Sequence, residues 1–250
     1  MSHSPAAKRP GGPPKMEAPD MHEVGGPKEG APQKLDRRLF INVQAFGNCT
    51  DTQPLIDALK SSALGGVLYA DANDSRGVAL VTYSEDPNHF VGPVRELLSR
   101  PPFNTLEQKP EYAMLGRTYA LGYEPDLVDW LIEKPKRRLT DPEWPWAVWY
   151  PLKRKGEFMT LPEDEQKKIL REHGTIGLAF GQAGLALDVR LACHGLDKND
   201  NDFVIGLLGK DLHRLSAVVE RMRKTRQTST LMENMGPFFV GKAIWQSTGA

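Results

Sequence analysis

Cysteine is scarce in this chain, with only Cys49 and Cys193 among 250 residues. Two thiols are too few for a disulfide framework and their spacing is not that of a zinc site, so they are expected to be small buried residues in a reducing compartment. An excess of either charge is also missing, because 32 lysines and arginines balance 32 aspartates and glutamates. No overall field therefore draws the chain to nucleic acid or to an anionic membrane, and any anion it binds must be gripped locally. Long apolar runs are absent as well. No segment has the length needed to cross a bilayer, and the first thirty residues contain no apolar core of signal-peptide length, so a cytoplasmic protein is expected. The apolar fraction of 40% is still enough for a real core.

Residues 1–36 are a mixture of Pro, Gly, Lys and Glu with almost nothing to bury, and are expected to be a disordered tail. Two stretches after it repeat one order of elements. Residues 37–123 read as a strand from Leu39 to Phe46 and a helix opened by Pro54, with Leu55, Ile56 and Leu59 on its apolar face. Strands over 66–70 and 77–83, a helix carrying Phe90, Val94, Leu97 and Leu98, and a strand over 112–123 follow. Residues 124–145 read as a connecting segment whose Lys134, Lys136, Arg137 and Arg138 form a solvated basic loop. Residues 146–250 repeat the order with strands over 146–152, 188–193, 203–208 and 238–244. One helix there starts at a capping box from Thr160 to Glu163, and another carries Leu212, Leu215, Val219 and Met222. Each half is β-α-β-β-α-β, so the chain is expected to be α+β, with two ferredoxin-like halves whose sheets curl into one shared barrel.

Two residues stand out chemically. His173 falls with Ile169, Leu170, Ile176 and Phe180 on the apolar face of its helix. Alone it reads either as a hydrogen-bonded core histidine or as a metal or haem ligand. Its neighbours Gly174 and Gly177 weaken the helix but remove the Cβ atoms that would keep a flat macrocycle from the backbone. Tyr150 precedes Pro151 and the basic cluster Lys153-Arg154-Lys155, and strand alternation puts Tyr150, Leu152 and Arg154 on one face. That pairing is either structural or the positive rim a polycarboxylate needs.

The run from Trp149 to Arg154, then Leu161-Pro162-Glu163, then Glu172-His173-Gly174, resembles the signature of the chlorite dismutase superfamily, and within it of the coproheme decarboxylases. Met222-Arg223 and the segment from Gly236 to Gly241 are similar to that family too, and the likeness is specific from about Trp146 to Ile244. It implies an enzyme whose haem lies in the second half and which assembles as a homo-oligomer, usually a ring of five. By resemblance His173 is the axial iron ligand and Tyr150 the tyrosine oxidised to a radical. Arg154, with Lys153 and Leu152 beside it, would meet one propionate, and Arg223 with Thr228 another. Arg190 falls at the distal position. The implied reaction is peroxide-dependent decarboxylation of iron coproporphyrin III, the substrate, to haem b.

The chain departs from the decarboxylase pattern at Arg190, whereas Tyr150, which chlorite dismutases lack, and Gln227 argue the opposite way. An arginine over the iron is the chlorite dismutase choice, because a guanidinium steadies an oxyanion. Against the axial histidine, where chlorite dismutases carry a glutamate, stands Gln227, which cannot supply the electron push of an anion. Chlorite or peroxidase chemistry at Arg190 and a non-enzymatic haem protein therefore stay open as alternatives.

Overall fold

The computed structural model describes residues 17–247. In chain order it contains β1 (Glu23–Lys28), β2 (Ala31–Leu35), β3 (Phe40–Gly47), α1 (Gln53–Lys60), β4 (Gly66–Asp71) and β5 (Val78–Ser84). A π-helical turn at Phe90–Val94 leads into α2 (Arg95–Leu98), and β6 (Glu107–Arg117) closes the first half. A second such turn at Asp129–Glu133 leads into α3 (Lys134–Thr140). The second half runs β7 (Trp146–Arg154), α4 (Glu157–Thr160), α5 (Glu163–Gln182), β8 (Leu187–Ala192), β9 (Phe203–Gly209), α6 (Leu212–Met222), α7 (Arg226–Thr230), β10 (Met232–Met235) and β11 (Phe239–Gln246).

The nine-stranded sheet has the order β10-β7-β11-β4-β5-β3-β6-β8-β9, and β7 also pairs with β9. That last pairing closes a ring of eight strands. Within it β4-β5-β3-β6 and β11-β7-β9-β8 have the same internal order, so each half is a four-stranded antiparallel unit of the ferredoxin-like kind. The expected α+β barrel is the observed architecture.

Alternation along each strand divides the apolar residues between two sides. Ile41, Val43, Val67, Val81, Trp149, Leu191 and Phe239 fill the barrel. Trp149 fits because its strand neighbour is Gly206, where a Cβ would lie 2.5 Å from the indole. On the outside of the first half, Leu68 and Leu80 pack against Leu55 and Leu59 of α1. Outside the second half, Val148, Tyr150, Leu152 and Leu207 pack against Phe180 of α5 and Leu215 and Val218 of α6.

Several expectations need correction. The presumed tail is ordered from Glu23 to Leu35 as the hairpin β1–β2, while residues 1–16 lie outside the described ones. Polar contacts hold the hairpin, together with Leu35 packed against the core. The Gln33 amide donates to the carbonyls of Gly26 and Glu124 and accepts from the Leu127 N–H, and Glu23 binds Arg117 and the Ala120 N–H. The strand predicted over 112–123 ends at Arg117 and starts at Glu107. The capping box does not form, because the Thr160 hydroxyl donates to the Glu157 carbonyl at the end of α4, and Pro162 precedes α5. The connecting segment is helical, and its basic residues are engaged. Arg138 pairs with Asp188 at 3.0 Å, and the Lys134 ammonium sits 4.4 Å from the Trp130 ring centre. No helix among the described residues is long and apolar enough to cross a membrane.

Candidate functional site

The outer face of the second sheet carries the candidate residues. Arg190 on β8 is paired with Ile205 on β9, and Ile205 with Tyr150 on β7. The three lie in one cross-strand row, which puts the Arg190 and Tyr150 backbones roughly 10 Å apart. One row further, Ala192, Phe203 and Leu152 are aligned in the same way. Tyr150 is buried and stacks on Phe238, ring centres 4.5 Å apart. Its phenol has no hydrogen-bond partner among the described residues. Burial, and secondarily the Asp188 charge, push its pKa well above the usual tyrosine value, so it is a neutral O–H. Arg223 sits with its guanidinium 6.0 Å from the Phe238 ring centre.

Arg154 projects from the same face of β7. Its guanidinium lies between the rings of Phe203 and Phe158, 4.6 and 4.8 Å from their centres. It has no carboxylate partner among the described residues, and its buried Nε has no acceptor. Burial works against its charge, although arginine stays protonated in any protein. An unpaired buried cation is costly unless an anion joins it.

His173 faces this sheet from α5. Its Nδ1 is 3.3 Å from the Thr225 hydroxyl and 3.4 Å from that of Thr228. The Thr225 hydroxyl spends its own proton on the Met222 carbonyl at 2.7 Å, so it accepts from His173. That economy assigns the imidazole proton to Nδ1 and leaves a lone pair on Nε2, which has no protein partner among the described residues. Burial, then the charges of Arg154 and Arg190, lower the His173 pKa to about 4. The imidazole is neutral at physiological pH, as metal ligation requires.

Burying a neutral imidazole makes stability depend on pH. Unfolded chain takes up a proton at His173 near pH 6.5 and folded chain only near pH 4, so unfolded protein binds more protons across that window. Stability of the ligand-free protein should fall as pH drops from about 6.5 to about 4, with a His173 contribution of up to roughly 3 kcal/mol. Urea titrations of wild type and His173→Gln should converge toward pH 4. A constant stability gap would show that the imidazole is not buried neutral.

The site fits an iron porphyrin on three observations. One is the free Nε2 lone pair. Another is the lack of a side chain at the exposed Gly174 beside it, where even an added Cβ would meet nothing within 4 Å. The third is the Arg154 guanidinium, a buried cation without a protein anion on the facing sheet. Two expected members stand elsewhere. Lys153 is on the opposite alternation of β7 from Tyr150 and pairs with the exposed Asp200 at 2.7 Å. Gln227 is buried with an unpartnered Oε1 and makes no bond to His173, whose Nδ1 is held by the threonines. Thr228 meets that imidazole, and Leu152 lies in the cluster around Tyr150.

Three neighbours are not evident from the sequence pattern alone. Tyr119 sits against Phe203, ring centres 5.8 Å apart, and accepts the Trp130 indole N–H at its carbonyl. Thr225 and Asp188 are the others. Only Asp188 leaves a signal in the sequence, being two residues from Arg190 and so on the same strand face.

A family model described as chlorite dismutase matches residues 108–244, more than half of the chain. No curated protein matches. Among solved structures, a haem-binding protein from Thermus thermophilus is similar with a TM-score of 0.64 and 19% identity, over 84% of this chain and 92% of that one. A substituted chlorite dismutase from Candidatus Nitrospira defluvii is similar with a TM-score of 0.63 and 14% identity, over 84% and 92%. At those identities the likeness is one of fold. The family match and the barrel of two ferredoxin-like halves lead to one conclusion: this chain belongs to the chlorite dismutase family.

Proposed function

We propose that the protein is a coproheme decarboxylase, using hydrogen peroxide to convert two carboxyethyl arms of iron coproporphyrin III to vinyl groups. The observation that carries this reading is a buried, unpartnered phenol at Tyr150 on the sheet face that also holds the unpaired Arg154. When bound, the iron porphyrin is both the substrate and the source of oxidising equivalents from peroxide.

The chain's residues do the rest. His173 holds the metal through Nε2 while Thr225 and Thr228 fix the ring by Nδ1. Arg154 and Arg223 take carboxylates on either side of Tyr150, each such contact contributing roughly 1.5 to 3 kcal/mol. Two of them suffice to set which arm lies against the phenol. Tyr150 gives up its hydroxyl hydrogen atom and then takes one from the β-carbon of the arm. Loss of a second electron and of carbon dioxide leaves the vinyl group. For each arm the balance is one carboxylate, one peroxide and one proton in, and one vinyl group, one carbon dioxide and two waters out.

Incubation with iron coproporphyrin III and peroxide, read by mass spectrometry, should show sequential loss from two arms. Unchanged porphyrin after complete peroxide consumption would refute the assignment. One observation favours a second reading, chlorite dismutation, namely the guanidinium of Arg190 on the facing wall. Oxygen release from chlorite by the porphyrin-loaded protein would decide for it.

A further inference from the structure

We propose that Asp188 is a positioning residue that sets the site's specificity by tying down Arg190 and offsetting part of its charge, so that the wall opposite His173 receives neutral peroxide and holds anions less tightly than a free arginine would. The proposal rests on the reading above, in which Arg190 faces the bound iron porphyrin. Asp188 and Arg190 are two apart on β8 and therefore share a face. Arg190 Nε lies 3.0 Å from Asp188 Oδ2, and its guanidinium lies over Trp130, 5.2 Å from the ring centre. Trp130 is itself fixed by its indole bond to the Tyr119 carbonyl at 3.1 Å. The arginine is thus held at one nitrogen and on one face, with no freedom to swing without breaking an ion pair.

The other carboxylate oxygen is also in use. Arg138, from α3 in the connecting segment, sits 3.0 Å from Asp188 Oδ1 and donates as well to the Asp188 backbone carbonyl. One carboxylate therefore serves two guanidiniums, and each limits what the other receives. Lys134, Arg138 and Arg190 line the same cleft with Trp130 and Tyr119, and Asp188 is the carboxylate among its lining residues. Without Asp188 the cleft would be a strong anion trap. With it, an incoming anion must compete with Asp188 for a guanidinium whose charge is partly offset, whereas a neutral peroxide does not.

The test is azide affinity of the ferric coproporphyrin-loaded protein, followed by its optical spectrum, a readout that does not depend on turnover. Removing the negative charge beside Arg190 should tighten azide binding about tenfold in Asp188→Asn, the order given by unit charges ~10 Å apart at an effective dielectric of ~20. Arg138→Met should do the reverse and weaken azide several-fold, because it leaves Asp188 to Arg190 alone. Opposite signs from two partners of one ion network are not what general loosening of the fold produces. Adding Arg190→Gln to Asp188→Asn should erase the gain. The proposal is overturned if Asp188→Asn binds azide within twofold of wild type, if Arg138→Met tightens it, or if the double variant keeps the gain. Wild-type protein that takes up no iron porphyrin would overturn the functional reading itself, whereas loaded protein with unaltered azide affinities would overturn only the role of Asp188.

Discussion

Tyr150→Phe is expected to bind iron coproporphyrin III with wild-type affinity and to yield no vinyl product. The substitution removes one oxygen from a ring that is already buried and stacked on Phe238. That hydroxyl bonds to nothing among the described residues, so its loss breaks no protein contact and the variant should fold and load normally. The rate should fall by at least the 10²–10⁴-fold that a positioned transfer group commonly contributes. Mass spectrometry of the porphyrin after peroxide, beside a binding titration, separates the two effects. Decarboxylation by the phenylalanine variant at the wild-type rate would remove Tyr150 from the chemistry.

The second large effect is expected at His173. His173→Ala should lose the optical signature of histidine-ligated ferric iron outright, and added imidazole should restore it, because the substitution vacates a place of that ring's shape. Retention of the wild-type spectrum would take His173 off the iron. A subtler outcome follows from the threonines. Neutral hydroxyls at Nδ1 give the imidazole less electron-donating character than a carboxylate would, so the iron should be easier to reduce than in a site with an anion there.

Much of this site is legible without the fold, because strand alternation is a local rule. Tyr150, Leu152 and Arg154 share a face for that reason, and the same rule, applied one residue along, sends Lys153 to the other side and to Asp200. His173 and Phe180 lie on the buried side of α5 because they are seven residues apart. Contacts distant in sequence leave no such trace. The hairpin is held by Gln33 reaching a carbonyl at Glu124, and no periodicity in a Pro- and Gly-rich segment announces that bond. Thr225 meets His173 across 52 residues, through a turn between α6 and α7 whose path is set by packing. The basic run from Lys134 to Arg138 reads as a solvated loop because the partner of Arg138, Asp188, lies on another element.

Strand β7 bonds to β9 from Trp146 to Leu152 on one side and to β10 and β11 on the other. Its neighbours Trp149 and Tyr150 face opposite ways, one into the barrel and one toward α5. A single residue inserted or deleted between Trp146 and Trp149 would exchange them, setting a phenol in the sealed interior and an indole against the helix. The length of β7 up to Trp149, more than its composition, thus ties the barrel to the chemistry.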